Sequence, residues 1–245
     1  MSVIPGQGDA ERIIRLLWRT DDDVVPTAPG PRRALSVGLI IEAAVAVADE
    51  TGMAGLSMRA VGDRLGRTSM ALYTYVADKA ELVDLMYDHV HAELGRDRPA
   101  GPWRDRVHTW AADLTAMYLR HPWVPEVSYA RAVLGPHEQA VLEDLLAALE
   151  PLALPPETLR GAAGSLHHLV RGFARTLADA ERLGEPDTET WQRRADALAA
   201  SAPDFAERFP LSVRLSRATG WDPDWRARIE ATMRTGIDLL LDGLA

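Results

Sequence analysis

A glycine set between two short apolar patterns constrains this chain more than any other feature. In LSMRAVGDRLGRTSMALYTYVADK, residues 56–79, one helix must stop at Gly66 and another begin almost at once. Ser57 can cap the first helix through its side-chain oxygen, and Val61 and Leu65 share one face of it. Gly66 tolerates the positive φ that a tight helix end needs. A second helix over about 68–75, opened by Arg67 or Thr68, turns Leu72 and Val76 back onto Val61 and Leu65. Met70 and Thr74 then face outward. Helices joined in this way can present the second one to a groove of double-stranded DNA, its outer face free to read base edges.

The flanks supply the rest of a small helical unit. From Leu35 to Asp49 the residues Ile40, Ala44, Val47 and Ala48 recur with helical spacing, Ser36 is a possible cap, and Gly52 lies just past the end. A fourth helix opens at Asp78, where Asp78 and Glu81 form a capping box before Leu82, Leu85 and Met86. It runs to about His91 or Leu94 and meets a linker-like break, GRDRPAGP. Because it starts in the head and ends at the body, it is the natural lever between them, its two ends expected in different cores. We therefore divide the chain into a leader (1–31), a helix-turn-helix domain (32–94) and a helical body (95–245). In the leader, Ile13, Ile14, Leu16, Leu17 and Trp18 fit a short amphipathic helix, mobile or docked on the body. DDDVVPTAPGP after it reads as a linker.

The body shows helical spacing and no sustained strand alternation. Trp103, Val107, Trp110, Leu114 and Met117 share a face until HPW at 121–123 breaks the helix. A helix over about 136–149 ends before Pro151. A long one over about 157–183 carries Leu166, Leu169, Val170, Phe173 and Leu177, with Gly161, Gly164, Ser165 and Gly172 around them. Residues 184–224, rich in Pro, Asp and Arg, are expected to hold at most one or two short helices. The final helix, from about Pro223 to Leu241, carries Ile229, Met233, Ile237 and Leu240, with Leu244 beyond. The expected fold is all-α.

Net charge is −9, which counts against nucleic-acid binding until its distribution is considered. Between residues 57 and 79, Arg59, Arg64, Arg67 and Lys79 outweigh Asp63 and Asp78, a local +2 that leaves −11 for the rest. Arg32 and Arg33 add to the basic side. An acidic body behind a basic head would orient the molecule on a duplex. Lys79, the only lysine beside 26 arginines, follows the second helix directly and suits a phosphate contact.

From Ala43 to Met86, AAVAVADETGMAGLSMRAVGDRLGRTSMALYTYVADKAELVDLM resembles the tetracycline-repressor (TetR) family, with LSMR, LG, LYTYV and DK-x-EL in the family's order and spacing. The resemblance implies a three-helix, homeodomain-like helix-turn-helix head and a helical body for ligand binding and dimerisation. It places base reading on Ser69, Met70, Ala71 and Thr74, with Thr68 at the start of the helix. Tyr73, Tyr75 and Lys79 go to phosphates, and Arg59 to a base or phosphate. Met70 and Ala71 can only touch thymine methyls, so the operator sequence cannot be read from them. The implied partners are a palindromic DNA operator, a second copy joined through the helices at about 157–183 and 223–244, and a small-molecule effector that releases the DNA. Gly161, Gly164 and Gly236 would let the dimer helices approach closely.

Trp110, Leu114, Met117, Tyr118, Trp123, His167 and Phe173 lie on elements that converge in the body and are the candidate ligand-binding residues; each is equally a core residue by its pattern. Tyr73 and Tyr75 could likewise be half-buried aromatics. The absence of cysteine excludes disulfides and thiolate metal sites. His167 and His168 are adjacent and His89 and His91 two apart, so neither pair shares a helix face for a metal. No metal, cofactor or catalytic residue is assigned, since there is no phosphate loop, nucleophile elbow or histidine–carboxylate spacing of catalytic character. No stretch approaches the roughly 18 apolar residues of a membrane span, and the chain reads as cytoplasmic. A helical enzyme with scattered catalytic residues, or an adaptor whose head binds protein, remains the alternative.

Overall fold

The computed structural model describes residues 9–19, 35–94, 101–128, 130–184, 188–219 and 224–244. Arg32, Arg33, the DDDVVPTAPGP linker and residues 95–100 of the second break lie outside them. Among the described residues every regular element is helical, and no helix is long and apolar enough to cross a membrane.

Each helix of the head starts where a side chain can satisfy an orphan N–H group. In α2 (Val37–Gly55) the Ser36 hydroxyl accepts from Leu39 N–H at 3.3 Å, and Ile40, Ala44, Val47 and Ala48 are buried. Gly52, at φ +68°, ends its regular part. Ser57 caps α3 (Met58–Leu65) through Ala60 N–H at 3.1 Å, and Thr68 caps α4 (Ser69–Tyr73) through Ala71 N–H at 3.3 Å. Asp78 caps α5 (Lys79–His91) through Glu81 N–H at 2.8 Å. The capping box is not closed in the expected way. Glu81 accepts from Ala77 N–H at 2.9 Å, one residue early, because its carboxylate also receives Arg12 from the leader.

The leader forms α1 (Ala10–Leu17), which buries Ile13 and Leu17 and packs along α5. It therefore docks on the lever of the head, and the Trp18 indole N–H reaches the body at the Leu134 carbonyl.

In the body, α6 (Trp103–Arg120) packs between α7 (Pro136–Leu149) and α8 (Pro156–Leu183), while α12 (Trp225–Asp242) lies along α8. Buried side chains run without interruption from Ile13 through α5 to Leu241. The expectation of two cores is therefore corrected. Leu82, Val83, Leu85, Met86 and Val90 bury one broad face of α5 and Glu81, Asp84, Tyr87, Asp88 and His91 bury the rest, so head and body close over it from different sides and their interiors merge. A second correction concerns the stretch after α8. It holds α9 (Thr188–Ser201), α10 (Phe205–Arg208) and α11 (Pro210–Thr219), none with a buried residue. Alanine, glutamine and arginine favour helix there without a core to pack on, an effect underrated beside the prolines.

Candidate functional site

α3 and α4 meet at Gly66, whose φ of +63° and ψ of +37° place it in the left-handed region. What holds them at a fixed angle is Gly62. A Cβ on it would lie 2.7 Å from the Arg67 carbonyl oxygen, so α3 touches the turn backbone directly. Leu72 and Val76 are buried against Val61. The opposite side of α4 is bare: Met70 is 75% exposed, Tyr73 is 45% exposed, and Thr74 is exposed. Ser69 and Ala71 are half-buried at its edge. Arg59 projects nearby, 89% exposed and in an open ion pair with Asp63 at 3.8 Å.

Other expected contacts have structural duties. The Lys79 ammonium donates to the carbonyls of Leu56 at 2.7 Å and Met53 at 3.3 Å, tying α5 to the end of α2. Its ammonium is thus engaged within the chain, where the resemblance assigned it to a phosphate. Thr68 caps its own helix, Tyr75 is half-buried against the core, and Arg64 pairs with Glu50 at 2.8 Å.

Two polar joints connect head and body. His121, from the RHPW segment, is buried between Asp49 at the end of α2 and Glu93 after α5, each carboxylate 2.8 Å from a ring nitrogen. The Trp123 indole N–H donates to the same Asp49 oxygen at 2.8 Å. Burial works against ionisation of Glu93, but hydrogen bonds from His121 and Arg120 hold its carboxyl below the ordinary range. In the second joint, one oxygen of Asp88 on α5 accepts the N–H groups of His137 at 3.0 Å and Glu138 at 2.8 Å, capping α7 from another helix.

A cavity of about 60 Å³ lies between these joints. Tyr87 and His91 of α5, Trp110 of α6, Ala132 ahead of α7, Glu138, Gln139, Val141, Leu142 and Leu145 of α7, and His167 of α8 line it. It is far smaller than the roughly 300–1,000 Å³ of an occupied small-molecule site, so a ligand of that class must spread the helices. Of the residues named from the sequence, Trp110 and His167 line this cavity. Leu114, Met117, Tyr118 and Trp123 are packed solid in the core, and Phe173 is half-buried away from the cavity wall. The sequence reading missed Tyr87 and His91 because it assigned α5 only a mechanical role, and it missed Glu138 because an acid on α7 carries no local sign of its burial.

Burial keeps both cavity imidazoles neutral, lowering His91 to about 4 and His167 to about 3. Well above pH about 6.5 these rings are uncharged in folded and unfolded chains alike and contribute nothing to pH dependence. As pH falls from there toward 4, the unfolded chain takes up protons that the cavity refuses, and stability declines by up to about 1.4 kcal/mol per unit for each ring. Asp88 and Glu138, raised by burial, act oppositely as they protonate in the folded chain. The expected result is therefore a difference: His167→Leu flattens the decline of the urea midpoint between pH 6.5 and 4.5 relative to the parent chain. Parallel curves would contradict a neutral buried ring.

The outer side of α8 is low and open, with nothing within 4 Å of a Cβ placed on Gly161, Gly164 or Gly172. Gly236 is different. Its Cβ would stand 3.2 Å from Leu169 Cδ1, so it serves the packing of α12 on α8 within one chain.

Residues 40–86 match the family described as bacterial regulatory proteins, tetR family, and residues 95–245 match the tetracyclin repressor-like C-terminal domain. The chain is similar to the HTH-type transcriptional repressor DrrR1 of Streptomyces coeruleorubidus, at 35% identity over 98% of this chain and 87% of the relative. An HTH-type transcriptional regulator of Saccharopolyspora erythraea is 30% identical over 84% of this chain and 83% of its own length. Among solved structures, ActR of Streptomyces coelicolor in complex with actinorhodin superposes with a TM-score of 0.70 at 25% identity, covering 86% of this chain and 96% of ActR. Apo ActR gives 0.68 at 25% identity, covering 89% and 96%.

Proposed function

The chain belongs to the tetR family of bacterial regulatory proteins, and from that premise we propose a homodimeric, ligand-responsive transcriptional repressor. It is a regulator, not an enzyme, and acts in the cytoplasm on a palindromic operator. The observation that carries the reading is the uncovered outer side of α4, where Met70 stands 75% exposed on a helix that Leu72 anchors from the other side, fully buried. Residues 32–94 form the reading domain and 95–245 the effector and dimer domain. Arg59, Ser69, Met70, Ala71, Tyr73 and Thr74 meet the duplex, with Tyr75 at the margin. The outward sides of α8 and α12, where Leu239 is 70% exposed, form the dimer. A two-fold pair of α4 helices about 34–36 Å apart then reaches successive major grooves.

ActR was solved with actinorhodin bound, and the aromatic and neutral polar lining of the cavity suits an aromatic, hydrogen-bonding effector. Such a ligand spreads α7 from α5, and α5 carries the change to the reading helices. Only a difference in ligand affinity between the two arrangements can release the operator.

The test is a salt titration of duplex binding. Arg59→Ala should reduce the slope of log affinity against log salt by about one for each head. Lys79→Met should leave that slope unchanged and instead lower thermal stability, by about 1–3 kcal/mol for two carbonyls left without a donor. A lowered slope with Lys79→Met alone would reverse these roles, and salt-indifferent binding would remove DNA as the partner.

A further inference from the structure

We infer that the leader helix α1 is a strap that carries the state of the cavity wall to the turn behind the reading helix. The inference rests on reading the cavity as the effector site and α4 as the DNA reader. Its contacts run in series. Glu138, on the cavity wall, accepts the N–H of Leu134 at 2.7 Å, and the carbonyl of Leu134 accepts the indole N–H of Trp18 at 2.9 Å. Trp18 closes α1, its own N–H bonded to the Ile14 carbonyl at 3.0 Å. Two turns back along the same helix, the Arg12 guanidinium donates to the Glu81 carboxylate at 3.0 Å and to the Tyr75 carbonyl at 2.9 Å. Tyr75 lies two residues after α4, and its N–H is bonded to Leu72 within the reading segment at 2.9 Å.

Each end is anchored differently, as a transmitting element requires. At the head the anchor is firm: the Glu81 side chain is only 2% exposed and also holds Ala77 N–H, so Arg12 cannot leave without stranding a buried carboxylate. At the body the anchor is releasable. Trp18 is 55% exposed, and Leu134 sits at φ +62°, a left-handed conformation uncommon for leucine, which its neighbours must hold. Movement of Glu138 by a ligand frees Leu134 to relax and takes the acceptor from Trp18. α1 then slackens its hold on Tyr75. The strap runs beside α5 and, through Ile13 and Leu17, packs on it, so it opposes movement of the lever while the cavity is closed.

Hydrogen exchange followed by mass spectrometry on the full chain, without DNA or ligand, tests this. Trp18→Phe keeps an aromatic side chain and removes the donor; Glu138→Ala removes the support of Leu134. Each should speed exchange at the amides of residues 72–76 by about five-fold, the equivalent of one net hydrogen bond, and the double variant should add nothing. Arg12→Lys should give the same local effect in the parent background. Unchanged exchange at 72–76 in both single variants, effects that multiply in the double, or acceleration spread equally over α2 and α8 would overturn the strap. A chain that shows the coupled acceleration yet binds no duplex keeps the strap and loses the regulator reading; duplex binding with uncoupled exchange does the reverse.

Discussion

Gly62→Val should lower duplex affinity by roughly a thousand-fold while leaving the body folded. The reason is steric: even a Cβ at this position falls 2.7 Å from the Arg67 carbonyl oxygen and 3.4 Å from Ser69 N, both backbone atoms that no rotamer change can move aside. α3 and the turn must separate, at the roughly 1–3 kcal/mol typical of overpacking. A head that relieves the clash by tilting α4 loses its register on the groove. Two heads per operator double the penalty, and about 4 kcal/mol corresponds to three decades of affinity. Gly66→Ala is the control. Nothing lies within 4 Å of its Cβ, so only the left-handed backbone penalty of about 1–2 kcal/mol applies, and its effect should be smaller. Anisotropy titrations on one duplex rank the two variants, and circular dichroism shows whether the helices survive. If Gly66→Ala proves the more damaging, the angle between α3 and α4 is set by backbone torsion and not by packing at Gly62.

Asp88→Ala should be the most destabilising single change at the joint between head and body, by about 2–3 kcal/mol. It strips the acceptor from the buried Glu138 N–H and the part-buried His137 N–H at the start of α7 and leaves α7 uncapped, each a loss of order 1 kcal/mol. The loss is less than the sum of a full charge–dipole interaction, because burial already raises the Asp88 carboxyl and makes its ionised form costly. Asp88→Asn keeps an acceptor oxygen and removes that cost, so it should change stability by less than about 1 kcal/mol. In thermal melts of a chain this size the alanine variant should fall by roughly 5–10 °C and the asparagine variant by no more than a few degrees. Equal losses in both would mean that the charge, not the acceptor, holds the joint.

Neighbouring residues in the sequence announced most of the head. Ser36, Ser57, Thr68 and Asp78 all cap the helices that they precede, and Gly52 and Gly66 take the positive φ that a helix end asks for. These are interactions over three or four residues, which a pattern records. The joints are a different kind of information. Arg12 finds Glu81, Asp88 finds the start of α7, and His121 finds Asp49 and Glu93 across separations of 28 to 72 residues. No local spacing encodes such partners. Lys79 shows the same limit: its place after α4 pointed to phosphate, and the fold supplied two carbonyls first. In the cavity, apolar periodicity could not separate Trp110, on the wall, from Leu114 and Met117, which share its helix face and are packed solid. α9 to α11 went largely unread because they bury nothing, and periodicity reports burial.

Selection from a pool of random duplexes by the full chain, followed by sequencing, tests the central claim most directly. The account predicts an enriched inverted repeat whose half-sites are centred about one helical turn apart, with Gly62→Val enriching nothing. Enrichment of an unpaired half-site, of single strands, or of no sequence at all would contradict a two-fold pair of α4 helices reading a duplex.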